Sequence, residues 1–422
     1  MSLTETIQQI YPDEVYNTLV QIGQIAHRLG LKAYAVGGFV RDLLLQTTNF
    51  DIDIMVNGDA IPFATQAAKE FNAECKLIDR FHTAHMYLPG MTVDFSSARK
   101  EIYEQPGALP TVSLSSNITD DLHRRDFTIN AIALSISPDK PFELVDPFGG
   151  ARDIERKQIK ILHAKSFEDD PTRLYRALRF ADRFNFNLEP TTEDLFDTAI
   201  AMNAPATVSP KRIAAEIDKC FQEKRPLTLL NKYQSAGLLS FFHKSFTRLK
   251  RPAFSFCMVK AVATRLSFKF KNISENALFW SLLLLSIPPA EAQPLLNASG
   301  LPHSITNTIW NTLTSFSSVP QKLIAANDNF SIYKTLSEAT PETTGLMLLC
   351  FKQPEITSKL NTYVNELSKI KPAISGDDLL EIGIAPGPQI RDIFEQILRK
   401  KLNGIEMTRK DELDLARRIS GI

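Results

Sequence analysis

From Tyr34 to about Asp146 the apolar positions fall in short alternating or continuous runs, AYAVGG, FDIDIMV, AHMYLPG, MTVDFSS and AIALSIS, punctuated by Gly, Pro, Asn and Asp. Runs of that length and period predict strands. Leu19, Ile22, Ile25, Ala26 and Leu29 recur at helical spacing, and IPFATQAAKEF carries the same kind of stripe, so helices are expected to flank the sheet. The first module is therefore α/β, a mixed sheet with flanking helices. After the PFGG turn at Pro147 to Gly150 the period becomes helical in PTRLYRALRFADRF, TEDLFDTAIAMN and PKRIAAEIDKCF, with almost no strand signal beyond. An all-α remainder follows, jointed near Pro288, Pro341 and Pro372. The expected divisions are 1–150 (head), 151–225 (neck), 226–370 (body) and 371–422 (tail).

A chain of 422 residues with 44% hydrophobic content can build several cores. Its 48 Lys and Arg balance 48 Asp and Glu, so only the distribution of charge is informative. Between Pro210 and Asn272 there are 14 basic residues against 3 acidic ones, and from there to Phe330 there is 1 against 3. A polyanion can dock on the basic stretch. Cys75, Cys220, Cys257 and Cys350 form no CxxC pair and are expected as free thiols in the core of a protein from a reducing compartment. Neither a span-length apolar run nor a basic-then-apolar leader is present, so a cytoplasmic protein without a membrane partner is expected.

In FDIDIM, Asp51 and Asp53 stand two apart on a predicted strand, which turns both carboxylates to one face. Such a pair can hold divalent ions for phosphoryl transfer, and Asp94 in MTVDF, on a neighbouring strand, is the candidate third carboxylate. Upstream, VGGFVRD puts Gly37 and Gly38 between a strand and a short helix, where backbone can approach phosphate and Arg41 can offer its fork. His82 and His85 have a metal-like spacing but lack nearby thiolates, and are assigned to packing or surface roles rather than to zinc.

With these residues in place the chain resembles the bacterial class II CCA-adding enzymes and their poly(A) polymerase relatives, within the polymerase-beta nucleotidyltransferase superfamily. The segments that carry the resemblance are VGGFVRD, FDIDI, VDFSSARKEIY, DDLHRRDFTINAIA, VDPFGGARDI, DDPTRLYRALRFA and SGDDLLEIGIAPGPQI, in that order. It implies a polymerase-beta-like head followed by an all-α neck, body and tail, and template-independent transfer of nucleotidyl units from CTP and ATP to the 3′ end of tRNA, with pyrophosphate released. It also implies a two-metal Mg²⁺ mechanism, with the ions on Asp51 and Asp53 and Asp94 as the third acid. Nucleotide contacts fall on Gly38, Arg41 and Arg125, while Asp126 and Asn130 read as structural.

Asp170 and Arg173 are three apart in a predicted helix, with Arg176 and Arg179 continuing the row. A carboxylate acceptor beside a guanidinium donor matches the amino group and bare ring nitrogen shared by cytosine and adenine, and mismatches uracil and guanine. In the resembled family the corresponding pair acts as a protein template for the base, and Arg176 and Arg179 match further nucleotide contacts. The next helix departs from the family pattern, since Lys211 stands where Glu is usual, ahead of Arg212. The stretch from Ala98 to Asp121 is expected as a mobile loop in its long form, which in the family accompanies addition of A. RNA is expected to meet Lys211, Arg212, Lys250 and Arg251, and in the tail Arg399, Lys400 and Lys401, through salt-dependent phosphate contacts. Three other readings stand beside full CCA addition: an A-adding enzyme working with a separate CC-adding one, a poly(A) polymerase, and a non-catalytic RNA-binding homologue. The second lacks its usual Gly-basic-basic-Phe signature here, and the third requires a damaged carboxylate set.

Overall fold

The computed structural model describes residues 2–78, 82–247, 256–271 and 273–422. Lys250 and Arg251 lie outside the described residues. The chain divides into two compact units, one of residues 1–212 and 232–241, the other of residues 213–231 and 242–422.

The first unit is built on a seven-stranded mixed sheet. In chain order its strands are β1 (Ala33–Val36), β2 (Asp51–Val56), β3 (Glu74–Ile78), β4 (Thr83–Leu88), β5 (Met91–Ser97), β8 (Ala133–Ser135) and β9 (Leu144–Val145), while β6 (Arg99–Ile102) and β7 (Thr111–Leu114) form a separate pair. The sheet order is β3-β4-β5-β2-β1-β8-β9, with β2 and β5 parallel and the other neighbours antiparallel. The helices Asp13–Arg28 and Ala60–Phe71 fall on the two stripes expected for them. Asp13 and Glu14 open the first helix and His27 and Arg28 close it, each sign at the dipole end that favours it. Asp59 caps the second through Ile61 N at 3.0 Å, and Asn72 ends it in the left-handed region at φ 49°. Val36, Met55, Ala98, Leu122, Ala131 and Ala133 form one apolar cluster that draws β1, β2 and β8 against the segment leading to the arginines of the site.

Two expectations change. The stretch from Ala98 to Asp121 is ordered as a hairpin, β6 pairing with β7 from Arg99↔Leu114 to Ile102↔Thr111, followed by the helix Ile118–His123. Every residue of β7 is exposed, so the strand lacks the burial alternation by which sequence reading detects one. Beyond Gly150, short strands β10 (Gln158–Ile159) and β11 (Asn187–Leu188) pair in parallel, too brief to leave a periodic signal.

The second unit is helical throughout its described residues. One cluster joins Leu266, Leu323, Met347, Leu360 and Leu402, and a second joins Ile374, Leu379, Ile393, Ile397 and Ala416. Pro341, read as a joint, is the first residue of a helix, and so is Pro289 next to the joint at Pro288, positions where a missing N–H costs nothing. Cys220 is buried, whereas Cys75 and Cys350 are half-buried rather than core. No described helix is long and apolar enough to cross a membrane.

Candidate active site

β2 alternates exposed Asp51, buried Ile52, exposed Asp53 and buried Ile54, so the two carboxylates share the open face of the sheet. The parallel register sets Asp53 directly beside Asp94 of β5, and the antiparallel one sets His85 of β4 beside Asp94 on its other side. His85 Nδ1 lies 2.6 Å from Asp94 Oδ1. The sequence reading gave His85 a packing or surface role, yet the pairing was countable: the tight Pro89-Gly90 turn pairs Leu88 with Met91 and therefore His85 with Asp94. The Asp53 carboxyl is raised above its ordinary value first by desolvation against the cavity wall, then by Asp94 and Asp51, with Arg125 opposing. Hard oxygen donors crowded in this way fit a divalent cation that also binds phosphate. Among the described residues no three His, Cys, Asp or Glu side chains converge into a ready-made cage, so phosphate or water oxygens would complete the coordination.

The glycine turn has a defined task. Gly37 adopts φ +68°, and a Cβ there would lie 2.4 Å from Arg125 Nη1 and 3.8 Å from Asp53 Oδ2. A side chain would therefore evict the guanidinium that faces Asp53. The Gly37 N–H is engaged by the Ile132 carbonyl at 3.2 Å. Gly38 is less constrained, its nearest neighbours to a Cβ being 3.5 Å away or more.

Arg41 is buried, and its fork, expected to meet phosphate, is occupied by Asp42, with Nε to Oδ1 at 2.8 Å and Nη2 to Oδ2 at 2.9 Å. Its Nη1 donates to Asn130 Oδ1 at 2.6 Å, and the guanidinium lies 4.7 Å from the Phe184 ring. Asn130 in turn donates to Asp126, which accepts from Arg176 Nε at 2.8 Å. Burial works to raise the Asp126 carboxyl, but Arg176, Asn130 and Arg173 outweigh it and hold it at about 2. A depressed carboxyl stabilises the fold above its unfolded-state value and loses that contribution as pH falls through the folded one. Asp126→Asn is therefore expected to remove about 2 kcal/mol of stability at neutral pH, and urea midpoints should show wild type and variant converging between about pH 4 and 2.

Asp121, fully buried, was not singled out from sequence, and it binds both arginines that follow it: Arg124 Nε at 2.9 Å and Arg125 Nη2 at 3.1 Å. Burial pushes its carboxyl up, yet Arg125 and Arg124 bring it below its ordinary value. Glu101 of β6 accepts from Arg124 Nη1 at 3.0 Å, tying the hairpin to the same network.

The pair Asp170 and Arg173 does not share a helical face. The helix begins at Thr172, and Asp170 precedes it with an extended backbone, its Oδ1 accepting from Thr172 N at 3.0 Å, Thr172 Oγ1 at 2.6 Å and Arg212 Nη2 at 2.7 Å. Pro171, with the Asp170 carboxylate accepting from Thr172 N, starts the helix after Asp170, which spacing alone does not reveal. Arg173 is buried, donating to Ser166 Oγ at 2.7 Å and to the Arg124 carbonyl at 2.8 Å. Both residues nevertheless border one cavity of about 480 Å³, together with Gly37, Gly38, Arg41, Asp53, Arg125 and Arg176. Arg179 is buried against Phe180, 4.9 Å from the ring centre, and is not part of that lining.

The residues read as RNA contacts differ in what they touch within their own units. Lys211 is exposed, but Arg212 reaches Asp170 and the Gly107 carbonyl at 2.8 Å. In the second unit Lys400 is exposed, Arg399 lies 4.1 Å from the Phe330 ring centre, and Lys401 is bound to buried Glu412 at 2.6 Å.

A mixed sheet that carries paired strand aspartates beside a glycine turn and an arginine-lined cavity defines a nucleotidyltransferase head of the polymerase-beta class. Residues 33–160 match the family model described as the poly A polymerase head domain. The chain is 32% identical over 99% of its length to an A-adding tRNA nucleotidyltransferase of Halalkalibacterium halodurans, covering 95% of that protein. It is 34% identical over 95% of its length to the A-adding tRNA nucleotidyltransferase of Geobacter sulfurreducens, but spans only 47% of that relative. The solved complex of a CCA-adding enzyme with ATP superimposes with a TM-score of 0.78 at 27% identity, over 100% of this chain and 98% of the other. The chain belongs to the tRNA nucleotidyltransferase and poly(A) polymerase family.

Proposed function

We propose that this protein completes the 3′ end of tRNA by template-independent transfer of nucleotidyl units from CTP and ATP, releasing pyrophosphate. The observation that carries the reading is the single cavity whose wall includes Asp53, with Asp94 at its side, and also the pair Asp170 and Arg173, so that reacting phosphate and base can be held at once. Asp51 and Asp53 would hold Mg²⁺, which activates the attacking 3′ oxygen and neutralises the departing pyrophosphate. Asp94, steadied by His85, takes the proton of the attacking hydroxyl. Arg125, Arg173 and Arg176 face the nucleotide and orient it, Arg41 braces the wall through Asn130, and Arg179 supports the same helix from inside. Asp170 accepts from the exocyclic amine of C or A. In this reading residues 1–150 are the catalytic head, 151–225 the neck that reads the base, 226–370 the body, and 371–422 the tail, whose Arg399 and Lys400 meet tRNA phosphates with Lys211.

The A-adding relatives favour a narrower second reading, transfer of the terminal A alone. The ordered hairpin from β6 to β7 suits both, since each includes A. Incubation with Mg²⁺ and each nucleotide on tRNA transcripts ending at the discriminator base, after one C and after two separates them. Completion of CCA on all three transcripts is expected, by C, C and A on the first, C and A on the second, and A on the third. Incorporation of A on the two-C transcript alone makes the protein A-adding, long A tails make it a poly(A) polymerase, and no incorporation overturns the proposal.

A further inference from the structure

The nucleotide cavity has a neighbour. A second cavity, of about 610 Å³, shares with it a wall of Glu101, Tyr103, Arg124 and Arg173. Its far side is made of rings: His123 stacks on His163 with centroids 5.3 Å apart and planes at 23°, and Phe148 tilts against His123 at 5.6 Å. Burial pushes His163 down to about 4, helped by Arg173 and His123, so the ring is neutral at physiological pH. Lys165 stands exposed at the rim with no ion pair among the described residues, while Lys100 is held by Asp120 at 3.2 Å. A volume of this size accommodates one nucleotide comfortably.

Four cations face three carboxylates around this cavity, a net of one positive charge that suits one phosphodiester; the first cavity, with five against four, has the same net charge but adds Asp53 of the metal pair, through which a divalent ion can bring in a triphosphate. Stacked rings beside one free lysine are the chemistry by which proteins hold an unpaired base and its backbone phosphate. Asp53 lines the first cavity and not the second, so the second carries no metal-site carboxylate. We infer that the second cavity holds an unpaired nucleotide of the RNA strand next to its 3′ end, stacked on His123, while the first holds the incoming triphosphate. The inference rests on the transferase reading above and assigns a subsite to its RNA substrate.

The test uses the full chain and an RNA hairpin with a single-stranded 3′ end in which 2-aminopurine replaces the penultimate base. Wild type should quench its fluorescence, and His123→Ala and Lys165→Ala should each relieve the quenching. His123→Ala should raise KM for RNA about tenfold, with KM for the nucleotide and the unfolding midpoint unchanged, as loss of one stacking contact requires. Absence of quenching by a wild-type enzyme that extends the same RNA overturns the inference, as does a KM for RNA within twofold of wild type in both variants. Failure of wild type to extend RNA is a separate result, and it removes the transferase reading along with this subsite.

Discussion

Asp53→Asn is expected to lower kcat for nucleotide incorporation by at least about 10³-fold, with little change in nucleotide affinity. The site explains the size of the effect. Asp53 sits between Asp51 and Asp94 on the open face of the sheet, and Arg125, followed by Arg41, opposes its raised carboxyl. An amide keeps the shape but cannot neutralise a divalent ion, so charge developing on the departing group loses its counterion. The same substitution relieves repulsion among three carboxylates and removes a desolvated charge, so the variant should unfold at the wild-type temperature or above it. Single-turnover incorporation of labelled ATP, read beside thermal unfolding, separates these effects. A kcat within tenfold of wild type, with the fold intact, would dismiss Asp53 as a metal carboxylate.

Base choice should hinge on Asp170. The ratio of kcat/KM for CTP over UTP is expected to fall about 10- to 100-fold in Asp170→Ala. The three hydrogen bonds recorded for the carboxylate all lie on Oδ1, from Thr172 and Arg212, which leaves Oδ2 as the acceptor for an exocyclic amine. Asp170→Asn is the sharper probe. Its amide can keep an oxygen towards Thr172 while turning an N–H to the cavity, so it should move preference towards uracil, whereas alanine only flattens it. Competition between CTP and UTP on one transcript gives the ratio directly. Unaltered discrimination in both variants would remove the protein-template idea.

Arg212 answers the question raised by Lys211. Where the resembled family usually has an acid, this chain has a lysine that stays exposed, and the arginine after it braces Asp170 and the hairpin carbonyl of Gly107. The basic character of its stretch points to an RNA contact for Arg212, and the structure gives it a carboxylate partner instead. Local charge density says that cations are present, but not which of them a carboxylate 42 residues away will claim.

Much of the α/β head was legible because its information is local. Alternation in FDIDIM turns Asp51 and Asp53 to one face whatever packs behind them, and the Pro89-Gly90 turn sets the register of His85 against Asp94 by counting. Breakers such as PFGG mark where the period changes. The sequence alone therefore determined five of the seven sheet strands (β1, β2, β4, β5 and β8), the helical character after PFGG, the family resemblance and the carboxylate face, but not the two edge strands β3 and β9. The hairpin β6–β7 escaped because its second strand has no buried side, and the Asp170–Arg173 face was misread because an aspartate before proline still satisfies the three-residue spacing. Tertiary structure decided which distant groups satisfy one another: Arg41 reaching Asn130, Arg176 holding Asp126, and Arg212 claiming Asp170. Periodicity fixes the direction a side chain leaves its own backbone. The partner of a buried charge depends on which distant segment arrives beside it, because in a desolvated wall an unpaired charge is too costly to leave and the nearest opposite charge, however remote in sequence, becomes part of the site.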